Sequence, residues 1–132
     1  MSRRHDIGVV EKLCERIAIL YAGRIVEAGA TADVLSAPCH PYAIGRRRSF
    51  PDIREPERTL VSIPGYPPRL AAAQPGCSFA ERCPFTQPVC RSVTPPLAAL
   101  AGRLVACHFA EQAEELRNAA KRPGTWDRSY AA

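Results

Sequence analysis

The sequence is short of aromatic rings, of long apolar runs and of any secretory leader, and each shortage closes off a class of function. Aromatic residues are 7% of the 132, with a single Trp. A basic protein without rings to stack on bases reads nucleic acid poorly. The net charge of +5 comes almost wholly from Arg, and only Arg46, Arg47 and Arg48 form a run. That run reads as a solvated helix end, and no nucleic-acid partner is expected. The longest apolar candidate, Ile17 to Gly23, falls far short of the ~20 residues a bilayer crossing needs. The expectation is a soluble chain, or one held at a membrane through a partner. Without a leader, a reducing compartment is the default and structural disulfides are disfavoured. A phosphate-cradling loop is missing too, because Gly8 and Gly23 precede neither Lys nor Ser/Thr at the required spacing.

What is present is proline, 13 of them, and six cysteines. Four of these, Cys77, Cys83, Cys90 and Cys107, stand in a stretch with few large apolar side chains. Hydrophobic burial alone would fold such a stretch poorly, and a metal cross-link would supply the missing constraint. Four thiolates are a usual ligand set for zinc or for a 4Fe-4S cluster. Structural zinc sites build on Cys pairs two to four residues apart, and no such pair exists here. The gaps also differ from the short-gap ferredoxin run. Wide gaps suit a larger object that gathers ligands from several loops, which leans toward iron–sulfur. Disulfides, with three possible pairings, and inert buried thiols remain as competing readings.

In chain order, Val9, Val10, Leu13 and Cys14 fall on one face at helical spacing, with Asp6 as the cap. Cys14 is then a core residue. Arg16 to Tyr21 and Arg24 to Ala28 are β-prone runs joined by Ala22-Gly23, a hairpin signal, with Gly29 closing the second strand. Ala32 to Ser36 reads as a brief helix capped by Thr31 and stopped by Pro38. Pro41 opens another helix behind His40, and the three arginines sit at its favoured C-terminal end. From Pro51 to Pro75 the prolines recur, with only Leu60 to Ile63 strand-like. Ala110 to Lys121 is expected to be helical along an Ala113, Leu116, Ala120 stripe, ended by Pro123-Gly124. Trp126 and Tyr130 are then expected in a mobile tail. This divides the chain into residues 1–51, 52–110 and 111–132.

Several blocks are also familiar. Residues from His5-Asp6-Ile7-Gly8 through Ile17-Ala18-Ile19-Leu20-Tyr21 to Glu27-Ala28-Gly29 resemble the end of an ABC-transporter ATP-binding domain. His40-Pro41-Tyr42 resembles the segment that follows that domain in oligopeptide and dipeptide importers. Ile63-Pro64-Gly65, Pro67-Pro68, and the four cysteines with Val105-Ala106-Cys107-His108 resemble the C-terminal extension of the same family. The likeness runs over about residues 5 to 110, in the family's order.

The resemblance implies an α/β fragment (helix, β-hairpin, short helices) from the C-terminal end of an ABC-type P-loop ATPase. A small, irregular, Cys-rich extension with a terminal helix would follow it. His5 would be the switch histidine, which at the nucleotide sandwich helps hold the attacking water; with its partners missing, that role is vestigial here. Cys77, Cys83, Cys90 and Cys107 would be the ligands of a 4Fe-4S cluster, with zinc as the alternative. His108 would be a neighbour with a supporting role, and His40 would be structural. The ABC signature and the acidic strand with its catalytic Glu are absent. ATP and Mg2+ therefore belong only to the full-length family context, and these 132 residues alone are not expected to hydrolyse ATP.

The implied function is a C-terminal component of the ATP-binding subunit of a bacterial peptide importer. It would be cytoplasmic and peripheral on the inner face of the cell membrane. Its partners would be the permease subunits, a sister ATPase subunit and a separately encoded N-terminal ATPase piece. Two other readings stand beside it. One is a free-standing iron–sulfur or zinc protein for electron transfer or partner binding; the other is a non-functional fragment that never folds.

Overall fold

A computed structural model describes residues 15–50, 60–65 and 75–131. Residues 5–14 of the helix expected over residues 5–16, with His5 and Cys14, and most of the proline-rich connector lie outside the described residues; at its far end Glu15 is a bend and Arg16 already opens a strand, not a helix.

The first hairpin forms where the turn signal stood. Strand β1 (Arg16–Tyr21) turns through Ala22 (φ 51°) and Gly23 (φ 79°) into β2 (Arg24–Ala30). Two consecutive left-handed residues give the turn whose twist matches paired strands. The register pairs Ile17 with Gly29 and Ile19 with Glu27, then slips so that Leu20 faces Ile25, which leaves Val26 as the extra residue of a bulge in β2. Gly29 does not close β2 as its sequence position suggested. It lies inside the strand because Arg103 crosses there, and a Cβ on Gly29 would sit 2.8 Å from the Arg103 Cβ.

A second hairpin, not anticipated from the sequence, completes the sheet. β3 (Ala98–Leu100) and β4 (Arg103–Val105) are joined by Ala101 (φ 49°) and Gly102 (φ 82°), a repeat of the first turn. The four strands lie in the order β1-β2-β4-β3, each pair antiparallel. β2 meets β4 through Glu27 opposite Val105 and Ala28 opposite Leu104. The sheet thus takes strands from both ends of the sequence, and it delivers the chain to Cys107 just beyond β4. The class is mixed α/β.

Helix α1 (Thr31–Ser36) follows β2 without a side-chain cap. Thr31 is a helical residue and not the cap, since its N–H is held by the Glu15 carbonyl at 2.9 Å and its side chain is buried. Helix α2 (Pro41–Arg48) is capped by His40, whose Nδ1 accepts the Tyr42 N–H at 3.0 Å; Pro41 opens the first turn and the arginines close the last. Residues 60–65 are not a strand: Val61 is buried and bonded to the Arg48 carbonyl at 3.0 Å, so this segment packs as an irregular strap. A short α3 (Pro88–Ser92) carries Cys90. After a 3-10 turn at Ala110–Gln112 come α4 (Ala113–Ala120) and α5 (Pro123–Ala131).

The tail expected around Trp126 is in fact helix α5. Pro123 suits a first helical position as well as a stop. Trp126 is 1% exposed and donates Nε1–H to the Ala120 carbonyl at 3.1 Å. It joins Tyr21, Val26, Ile44, Val61, Phe79, Cys83, Leu116 and Ala120 in the main core. None of the described helices is long and apolar enough to cross a membrane.

Gly45 shows how tight this core is. A Cβ there would stand 2.7 Å from the Trp126 ring and 2.8 Å from the Ile63 side chain. Alanine normally improves a helix interior by up to ~1 kcal/mol. At Gly45 overpacking of about 1–3 kcal/mol outweighs that gain. Gly45→Ala is therefore expected to lower the urea midpoint, and a raised midpoint would show the α2 contact to be slack.

Candidate functional site

Each of the four cysteines is set by a local backbone device. Gly76 passes so close to the Cys90 carbonyl that no side chain fits, and the Cys77 N–H donates to that carbonyl at 2.6 Å. This ties the first cysteine to the third. Cys83 ends a tight turn, its N–H on the Phe79 carbonyl at 2.9 Å. Cys90 lies on α3, buried, with its N–H on the Gln87 carbonyl at 2.8 Å. Cys107 follows β4, where the Ala106 N–H reaches the Val26 carbonyl of β2 at 2.9 Å.

These devices bring all four thiols, together with His40, to the wall of one cavity whose remaining lining is mostly hydrocarbon, including Phe79, Phe85, Phe109 and Leu116. A charge on Cys83 would feel Cys107, Cys77 and Cys90, and one on Cys107 would feel Cys77 and Cys90. Burial raises the pKa of the Cys77 thiol, pushes Cys83 well above the ordinary range and pushes Cys107 up to about 11. Neighbouring N–H groups pull the other way. Phe85 donates to the Cys83 sulfur and Phe109 to the Cys107 sulfur, each at 3.4 Å, and Phe79 and Ala80 donate to Cys77. Such donors favour thiolate, the form that ligates metal. All five described cysteines are free thiols, so the described residues contain no disulfide.

The arrangement is not that of a single-ion site. Among the described residues no three His, Cys, Asp or Glu side chains close on one point as a metal ion requires. Zinc holds thiolates at about 2.3 Å, which draws four sulfurs tightly together.

Four residues that sequence reasoning passed over brace this cavity. Arg82, beside Cys83, donates Nε–H to the Pro64 carbonyl at 2.9 Å and an Nη–H to the Tyr21 hydroxyl at 3.1 Å. Its guanidinium also lies over the Tyr21 ring at 5.7 Å. Glu27 is fully buried in β2. Its Oε1 accepts the N–H groups of Cys39 and His40 at 2.9 and 2.8 Å, and its Oε2 pairs with Arg103 at 3.0 Å. Arg103 also donates to the Ala37 carbonyl at 2.7 Å, and Arg117 to the Pro38 carbonyl at 3.0 Å. The segment from Ala37 to His40 is thus gripped from β2, β4 and α4.

His40 is buried and neutral, its pKa pushed down to about 3 by loss of water. His108 borders the cavity, and its Nε2 meets the Val93 carbonyl at 2.6 Å. Cys39 packs with Val105 and Ala113, and burial raises its pKa. His5, expected as the switch histidine, lies outside the described residues.

Comparison with known proteins matches residues 26–90 to a family described as the oligopeptide/dipeptide transporter C-terminal region. The chain is 45% identical over 105 residues to a probable peptide ABC transporter ATP-binding protein of Sinorhizobium fredii, covering 78% of this chain and 31% of the relative. It is 40% identical over 103 residues to the oligopeptide transport ATP-binding protein OppD of Salmonella typhimurium, again covering 78% and 31%. A putative peptide import ATP-binding protein of Brucella ovis is 43% identical over 102 residues, covering 73% and 30%. The chain spans about a third of the length of the curated relatives it matches.

Proposed function

The chain belongs to the C-terminal part of the oligopeptide/dipeptide ABC-transporter ATP-binding proteins, and from that premise we propose that it serves a bacterial peptide importer as a docking or regulatory module with an iron–sulfur cluster at its centre. The supporting observation is that Cys77, Cys83, Cys90 and Cys107 line one and the same apolar cavity. Its donor set fits a 4Fe-4S cluster: four thiols, and backbone N–H groups aimed at three of the sulfurs. When bound, the cluster supplies a one-electron redox centre and a cross-link between the turn at Cys83, helix α3 and the segment after β4. The partners on this reading are the permease subunits, a sister ATPase subunit and an ATPase body carrying the phosphate loop, at the inner face of the membrane.

Three measurements test the proposal. Chain prepared without oxygen is expected to hold about four iron and four sulfide and to absorb broadly near ~400 nm. Colourless protein with one zinc would replace the cluster by a zinc set. These residues contain no phosphate loop, so calorimetry with ATP is expected to show no saturable heat. A saturable signal would overturn the non-catalytic role. Cells lacking the chain are expected to lose uptake of a toxic peptide that enters through this importer, and undiminished uptake would refute the transport role.

A further inference from the structure

One ring nitrogen of His40 has no account in the fold. The side chain is 1% exposed, and its Nδ1 accepts the Tyr42 N–H, which leaves the proton of the neutral ring on Nε2. Nε2 is buried and has no hydrogen-bond partner among the described residues. A buried donor without an acceptor is costly, and native folds seldom keep one unless something else satisfies it. The ring itself is held in place. Glu27 binds the backbone N–H of His40 at 2.8 Å, and the capping bond fixes the Nδ1 edge. The same residue lines the four-cysteine cavity, where the thiols are the prominent acceptors in a wall of Phe79, Phe85, Phe109 and Leu116.

We propose that His40 is a positioning residue for the cofactor, its Nε2–H donating a hydrogen bond to a sulfur of the iron–sulfur group in the four-cysteine cavity. The inference rests on the cluster reading above. It assigns the histidine two duties at once: Nδ1 caps helix α2, while Nε2 joins that helix to the redox centre. A hydrogen bond to a cluster sulfur stabilises the more electron-rich state, so it raises the reduction potential. Movement of α2 would then alter the potential, and reduction would tighten the helix on the centre.

The experiment uses chain reconstituted with iron and sulfide under anaerobic conditions and labelled with 15N-histidine. Pulsed electron paramagnetic resonance of the reduced protein is expected to show one histidine nitrogen and one exchangeable proton coupled to the cluster. His40→Asn keeps an acceptor for the Tyr42 N–H, because Asn is a good N-cap, but lacks the far ring nitrogen. It is expected to keep its iron, lose the coupling, and shift the reduced-to-oxidised ratio about tenfold toward oxidised, or ~59 mV for one electron. His108→Gln should leave the coupling in place. A fully loaded wild type without the coupling, or a loaded His40→Asn with unchanged potential, overturns the His40 proposal and leaves the cluster reading standing. Wild type that takes up no iron and sulfide defeats both. Should His40→Asn not fold, the wild-type and His108→Gln spectra decide alone.

Discussion

Cys83→Ser is expected to abolish iron binding and to make the second half of the chain sensitive to protease. Cys83 is 7% exposed and belongs to the main core beside Phe79, Leu116 and Trp126. Its replacement therefore removes a proposed ligand and buries a hydroxyl among carbon atoms. The hydroxyl alone costs on the order of 1–3 kcal/mol when it finds no partner. Loss of the ligand adds the coupling between metal binding and folding. The two contributions separate with Cys107→Ala, which removes a half-buried thiol without burying a polar atom. If the cluster is the brace, both variants lose iron and both lose protease resistance at residues 75–110. If only Cys83→Ser becomes labile, the effect is core polarity, and a structural role for the metal fails. Resistance unchanged in both variants would refute the brace outright.

How much of this was legible in the sequence depended on whether the signal was local. The β1–β2 hairpin and helix α2 were readable because a Gly-containing turn and a Pro at the first helical position act over two or three residues. The same Ala-Gly turn signal stood at Ala101-Gly102, yet β3 and β4 are three residues each and β3 is mostly alanine, so both are too short for alternation to mark them. Their pairing is also long-range, since Val105 finds Glu27 across most of the chain. Pro123-Gly124 does follow the end of α4, but the tail expected after it is a helix, because proline opens one helix as readily as it ends another, and only the buried contact of Trp126 with Ala120 reveals the second role. The four cysteines could be nominated by residue type and family resemblance. Their convergence needed the β2–β4 junction, which no spacing rule contains. His40 was read as structural, and its Nδ1 cap supports that. The unpartnered Nε2 is a three-dimensional fact without a sequence signature.

Glu27 was hidden for a related reason. In the run Arg24-Ile25-Val26-Glu27-Ala28 an acidic residue reads as part of a solvent face. Instead it is 0% exposed, with both oxygens engaged by groups 12 to 76 residues away. Glu27→Ala would leave Arg103, whose side chain is only 11% exposed, without its counter-charge, and would strip the acceptor from two buried N–H groups. Breaking one side of such a buried pair typically costs about 3–5 kcal/mol. A domain of this size has about 5–15 kcal/mol in all, so the variant should be largely unfolded in modest urea. Glu27→Gln keeps a carbonyl oxygen for the Cys39 and His40 N–H groups and loses only the ion pair, so its loss should be clearly smaller. The double variant Glu27→Ala with Arg103→Ala should recover part of the deficit, because no buried charge is then left alone. That ranking, read from urea midpoints, decides between a charge-paired node and simple side-chain volume. If volume were the cause, Glu27→Gln would match wild type and the double variant would be the least stable of the three. A charge-paired node also predicts that Glu27→Ala releases the His40 backbone, so any chain that still folds should lose the Tyr42 capping bond and show faster amide exchange at the start of α2.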